Sequence, residues 1–259
     1  MHKFAKPLLA FAGLMAATAT PATADSKPTV VLVHGAFADA SSWSGVIKEL
    51  ENNGYPVVAV ANPLRGVAVD GDYVRRIVSG LKGPVVLVGH SYGGSVISQA
   101  ADGIANVKSL VFVGAFAPEP GESAAILSSK FPGSTLGPTL AEPVVLPDGG
   151  KDLYITASRF HEQFAADLPS EDAKIMAATQ RPITEAALSE PVTQAAWQVI
   201  PSWFVYGNAD KNIPAAALEW MAKRAKSKHT VVVEGASHVV MISNPGKVAA
   251  VIEEAAVTH

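Results

Sequence analysis

One serine in this 259-residue chain sits where it could act as a nucleophile: Gly89-His90-Ser91-Tyr92-Gly93 has the form G-x-S-x-G. It follows the apolar run at 84–88 (PVVLV) and opens a segment of helical spacing from Ser95, so it reads as a strand–turn–helix elbow. A serine at such a turn takes a strained backbone that projects its hydroxyl, and flanking glycines let neighbouring backbone approach closely. A serine hydroxyl needs a base, which calls for a histidine. Of the seven histidines, His2 lies at the extreme N-terminus and His259 at the C-terminus. His229 follows a basic stretch that reads as surface, and His161 lies in a segment without strand pattern. His90 is expected to point away from Ser91. His238 remains, in the loop Glu234-Gly235-Ala236-Ser237-His238 after a β-branched run. The base in turn needs a carboxylate to hold its tautomer. Asp210, after the run WFVY, gives the chain order serine, acid, histidine; Glu119, at the end of an earlier run, is the rival.

An anion developing on a substrate oxygen needs donors. The Tyr92 N–H, at the start of a helix, is one. A second is expected from the loop His34-Gly35-Ala36-Phe37 after the first apolar run, where the Ala36 N–H is the candidate and His34 reads as a brace. Neither GxxxxGK[ST] nor GxGxxG occurs, and His161-Glu162 lacks the second histidine of a zinc helix, so no cofactor and no metal are expected.

These groups must be carried by strand ends. Continuous apolar runs at 29–33, 56–61, 84–88, 107–113, 203–206 and 230–234 suit strands buried on both faces. Helical spacing falls between them, around 43–50, 72–81, 95–101, 215–225 and 245–256. The alternation predicts an α/β fold with a mostly parallel six-stranded sheet flanked by helices. Between about 117 and 200 it stops, in a stretch rich in Pro, Gly and Ser with helical segments at 154–166 and 171–179. An insertion leaving the carboxyl end of a strand is expected to be a helical lid over the site.

Composition excludes other classes. The chain is 49% hydrophobic and 17% charged, too apolar for a disordered segment. With no cysteine it has neither a disulfide framework nor a thiol nucleophile, and a net charge of −3 offers no basic footprint for nucleic acid. Residues 1–24 read as a cleaved signal peptide: His2, Lys3 and Lys6, then an apolar stretch, then Ala22-Thr23-Ala24. The expectation is a single domain over 25–259, periplasmic or secreted, and off the membrane once the signal is removed.

Together HGAF (34–37), GHSYGG (89–94), YGNAD (206–210) and GASHVVMISNP (235–245) resemble the α/β-hydrolase superfamily over nearly the whole chain after the signal. Within it the chain is similar to small bacterial carboxylesterases related to plant methylesterases and hydroxynitrile lyases, a group that includes pyrethroid-hydrolysing esterases. The resemblance implies Ser91, His238 and Asp210 as a catalytic triad and Ala36 and Tyr92 as oxyanion donors, acting on a small-molecule ester. Hydroxynitrile lyases of the group carry a lysine directly after the catalytic histidine and a threonine in the first loop; here those positions are Val239 and Gly35, which implies ester hydrolysis instead. Phe37, Phe131, Phe160, Phe164 and Trp197 are candidate pocket walls, with Tyr154 and Met176 beside them. The insertion residues among them also fall at helical spacing that would serve a core. Two other outcomes share the same motifs: cofactor-free perhydrolysis of the haloperoxidase type, and a hydrolase-fold ligand-binding protein without turnover.

Overall fold

The computed structural model describes residue 2 and residues 27–258. The segment read as a signal peptide therefore lies outside the described residues, residue 2 apart.

Valine-rich runs without a polar face can be satisfied only where both faces are covered. They form β1 (Thr29–Val33), β2 (Val57–Val60), β3 (Val85–His90), β4 (Val107–Val113), β8 (Ser202–Gly207) and β9 (Thr230–Val233). These make one six-stranded sheet in the order β2-β1-β3-β4-β8-β9, with every pairing parallel. β3 and β8 are buried along their whole length, whereas β2 and β9, at the edges, are mostly half-buried. The in-register pair Phe112 and Phe204 stacks face to face at 4.7 Å in the middle of the sheet. Because the strands are parallel, all six carboxyl ends open on one edge, where ligands bind in this architecture.

Three short strands, β5 (Val144–Val145), β6 (Lys151–Leu153) and β7 (Ile183–Thr184), form a separate antiparallel sheet. The helices are α1 (Ser44–Asn52), α2 (Val67–Gly80), α3 (Tyr92–Ala100), α4 (Ala124–Ser129), α5 (Ala157–Phe164), α6 (Ser170–Thr179), α7 (Glu185–Ser189), α8 (Ala215–Arg224), α9 (Val240–Ser243) and α10 (Pro245–Val257). α1 packs on α10, α2 on α3, and α10 lies against β3, β4 and β8. No helix among the described residues is long and apolar enough to cross a membrane.

Two helices start earlier than their apolar spacing predicts. α2 begins at Val67, not near 72, because buried Asp70 accepts the Arg65 N–H at 3.1 Å and organises the first turn. α3 begins at Tyr92, not 95, because the elbow turns straight into it. The insertion is also less purely helical than expected, since β5–β7 lie within it. Strands of two or three residues leave no period to read. The insertion is fastened to the sheet domain by Arg65–Asp152 at 2.6 Å, by Thr184 N–H to the Leu64 carbonyl at 3.1 Å, and by Arg224–Glu122 at 2.7 Å.

Candidate active site

Ser91 occupies the turn between β3 and α3 with φ 53° and ψ −122°, a left-handed-side conformation that costs a non-glycine residue about 1–3 kcal/mol. Three backbone bonds hold it there. Its N–H donates to the Val113 carbonyl at 3.3 Å, and its carbonyl accepts the Gly94 and Phe116 N–H groups at 3.0 and 3.2 Å. The helix can start this close to β1 only because residue 93 has no side chain: a Cβ there would lie 2.4 Å from the Val33 carbonyl oxygen.

Asp210 follows β8 and His238 follows β9, and the two loops are sewn together. Asn208 Oδ1 accepts the Gly235 N–H at 2.7 Å, its side-chain amide donates to Glu234 at 2.6 Å, and Ala209 N–H donates to the Ala236 carbonyl at 3.1 Å. Gly207 makes this approach possible, since a Cβ there would sit 2.1 Å from the Ala236 oxygen. The result is a hydrogen bond of 2.7 Å from His238 Nδ1 to Asp210 Oδ2, with both side chains essentially buried. Asp210 Oδ1 is held separately, by the N–H groups of Asn212 at 2.7 Å and Ile213 at 2.9 Å. With Nδ1–H donating to a carboxylate, the lone pair of His238 lies on Nε2. That atom is buried and has no hydrogen-bond partner among the described residues. Glu119, the rival acid, is elsewhere: it lies 3.6 Å from the Arg224 guanidinium.

Ser91, Tyr92, Ala36 and Phe37 line a cavity of about 190 Å³. Among the described residues no carbonyl accepts the Ala36 or Tyr92 N–H, whereas the neighbouring Phe37 N–H is taken by the Arg181 carbonyl at 3.1 Å. The other walls are Phe116, residues of α4, Leu136, Leu140, Leu188 and Ile213. Insertion residues therefore share the cavity with Ser91, and they are small or aliphatic with Ser128 and Ser134 among them. Of the expected walls, Phe37 lies here and Phe131, Phe160, Phe164 and Trp197 do not. Phe160 and Phe164 are fully buried and pack on each other at 5.0 Å, with Phe164 also edge-on to the His238 ring at 5.1 Å. Phe131 packs against Trp220, and Trp197 donates its indole N–H to the Pro118 carbonyl at 2.8 Å. Phe160 and Phe164, at helical spacing, went to the core, and the lining came from Leu136 and Leu140 in loop segments and Leu188 on the five-residue α7, too short for a period to mark.

Sequence reasoning also missed His90. Its ring sits 4.7 Å from the His238 ring and donates Nε2–H to the His238 carbonyl at 3.1 Å, with Trp43 edge-on behind it. Burial, and then the neighbouring His238, hold its imidazole well below the usual histidine range. His34 braces its loop as expected, donating from Nδ1 to the Gly35 carbonyl at 2.9 Å and accepting the Asn62 N–H at Nε2 at 3.0 Å; burial lowers it to about 4.

Both histidines are therefore neutral in the folded chain and gain protons once unfolded. A folded value below the unfolded one gives stability that is complete above pH 6.5 and drains as pH falls towards 4, by about 3 kcal/mol for His34 alone. Asp70 acts in the opposite sense, since burial raises it and it favours the folded state more as pH falls. Denaturant midpoints measured from pH 7 to pH 4 should decline across that window; a flat or rising profile would contradict the neutral-histidine core.

The profile of the alpha/beta hydrolase family matches residues 30–251. The strained serine elbow after the third parallel strand, with a histidine–carboxylate pair from the last two strand ends, fits that match. The chain belongs to the alpha/beta hydrolase family. It is 26% identical over 245 residues to an alpha-hydroxynitrile lyase of Arabidopsis thaliana, covering 86% of this chain and 95% of that one. It is 25% identical to methylesterase 2 of the same plant, covering 85% and 92%. Among solved structures, polyneuridine aldehyde esterase superposes with a TM-score of 0.75 at 19% identity, over 88% of this chain and 98% of that one.

Proposed function

We propose that this chain is a serine carboxylesterase that hydrolyses small to medium hydrophobic esters through an acyl-enzyme. The observations that carry the reading are the buried His238–Asp210 pair, whose Nε2 has no hydrogen-bond partner among the described residues, and a strained Ser91 that opens on an apolar cavity. In this mechanism His238 Nε2 takes the Ser91 proton as Oγ attacks the ester carbonyl. The Ala36 and Tyr92 N–H groups hold the oxyanion, each such donor being worth about 3 kcal/mol. Protonated His238 then passes that proton to the departing alkoxide. Water, deprotonated by His238, attacks the acyl-enzyme and releases the acid, and Ser91 recovers its proton. Asp210 keeps Nδ1–H in place throughout.

A relative's name raises the lyase reaction, and two positions speak against it here. Residue 239 is a buried valine where those lyases carry lysine. At residue 35 a Cβ would meet the His90 oxygen and the Ser91 Cβ at 2.7 Å, so no threonine fits this backbone. The methylesterase and esterase names among the relatives support the ester reading. With residues 1–24 read as a cleaved signal, the enzyme is proposed to act outside the cytoplasm.

The test is a panel of p-nitrophenyl and alkyl esters offered to the purified protein, with fluorophosphonate labelling run in parallel. Turnover on short hydrophobic esters is expected. Labelling of Ser91 without turnover on any ester would overturn the reading in favour of a binding protein.

A further inference from the structure

Phe37 is the shared wall of two cavities. On one side lies the cavity of about 190 Å³ lined by Ser91; on the other is a more open one of about 240 Å³, bounded by Leu168, Ile175, Met176 and Ile242. Each alone falls short of the roughly 300–1,000 Å³ of a small-molecule site, whereas the two together fall within it. The wall is firmly built. Phe37 adopts φ 59°, its N–H is tied to the Arg181 carbonyl, and its ring stands edge-on to Phe164 at 6.1 Å. A non-glycine residue keeps such a backbone only where its surroundings over-determine it.

Resting on the esterase reading, we infer that Phe37 divides the substrate site in two: the cavity at Ser91 takes the acyl half of the ester, and the second cavity takes an uncharged alkyl or aryl alcohol. The chemistry assigns the sides. The leaving oxygen must receive its proton from His238, so the alcohol has to lie on the histidine's side. Phe164, which touches both Phe37 and His238, and Ile242, on the short helix that follows His238, mark that side. The polar groups around the second cavity are mostly occupied. Asp39 Oδ1 accepts the Ser41 N–H at 2.7 Å, and the Gln180 amide bonds both the N–H and the carbonyl of Ile155 at 2.9 Å. Asp172 lies exposed at its edge. The larger part of the remaining lining is carbon, from Phe37, Leu168, Ile175, Met176 and Ile242, which suits an apolar alcohol.

The two halves separate in time, and this makes the assignment testable. The alcohol leaves before the acyl-enzyme reacts with water, so crowding the alcohol side can slow acylation alone. Met176→Trp and, independently, Ile242→Phe should lower kcat/KM for esters of bulky alcohols about tenfold or more relative to the ethyl ester of the same acid. The single-turnover deacylation rate should stay unchanged. Leu136→Trp, on the Ser91 side, should instead penalise long acyl chains in both phases. Equal losses for ethyl and bulky-alcohol esters, a slowed deacylation in Met176→Trp or Ile242→Phe, or no loss for bulky alcohols in either variant would overturn the partition while leaving the esterase reading intact. Absence of wild-type turnover on every ester would overturn both.

Discussion

Replacing Ser91 by alanine should cut ester turnover by about 10⁶-fold, on the scale seen when the nucleophile of a serine hydrolase is removed. The change deletes one oxygen and little else. Alanine accepts φ 53° no worse than serine does, the backbone bonds to Val113, Gly94 and Phe116 are untouched, and the Ser91 side chain makes no hydrogen bond among the described residues. Melting temperature should therefore stay close to wild type, so the loss reads on chemistry and not on folding. The Ala36 and Tyr92 amides remain and should leave a residual rate above background, since oxyanion donors and binding alone retain about 10³–10⁴-fold over water. Rates with a p-nitrophenyl ester, with circular dichroism on both proteins, check this. A loss under tenfold would remove Ser91 from the role of nucleophile.

Asp210→Asn should lower turnover by about 10⁴-fold, and the bonds around Asp210 say why. Oδ1 accepts two backbone N–H groups and must stay an oxygen. In the asparagine variant the amide nitrogen therefore replaces Oδ2 and faces His238. An NH₂ group there donates to Nδ1, moves the imidazole proton to Nε2, and leaves His238 unable to accept from Ser91. Glu119→Gln, by contrast, touches a carboxylate turned toward Arg224 and should stay within a few-fold of wild type. Parallel kcat measurements on the two variants decide the assignment; a large loss in Glu119→Gln with Asp210→Asn unaffected would reverse it.

The parts that were legible from the residues share a physical reason. The six strands announce themselves because a parallel strand covered on both faces must be apolar throughout, as in TVVLV and VVLV. Ser91 is legible because a strained turn pressed against β1 demands glycines at fixed offsets, and Asp210 and His238 because each follows a strand whose end lies on the same edge. The pocket was not legible. Phe160 and Phe164 have the spacing of a buried face, and burial is what they obey, while Leu136, Leu140 and Leu188 reach Ser91 only through the path of an irregular insertion. His90 was legible as a member of the elbow but not as the support beneath His238, since residues 148 apart meet only through the sheet.

The placement of the proposed reacting groups along the sheet divides their mechanical security unequally. Ser91 is anchored to β3, an interior strand buried along its length, whereas His238 hangs from β9, four residues long and open at one edge. Opening of a protein proceeds in pieces, and short, half-exposed edge strands fray at lower free energy than the interior. Detachment of β9 would carry the imidazole away from an elbow that is still fully formed. The stitching between the Asn208 and Glu234 loops is therefore what keeps the working life of the catalyst close to that of its fold, and a chain that lost it would be inert well before it was denatured.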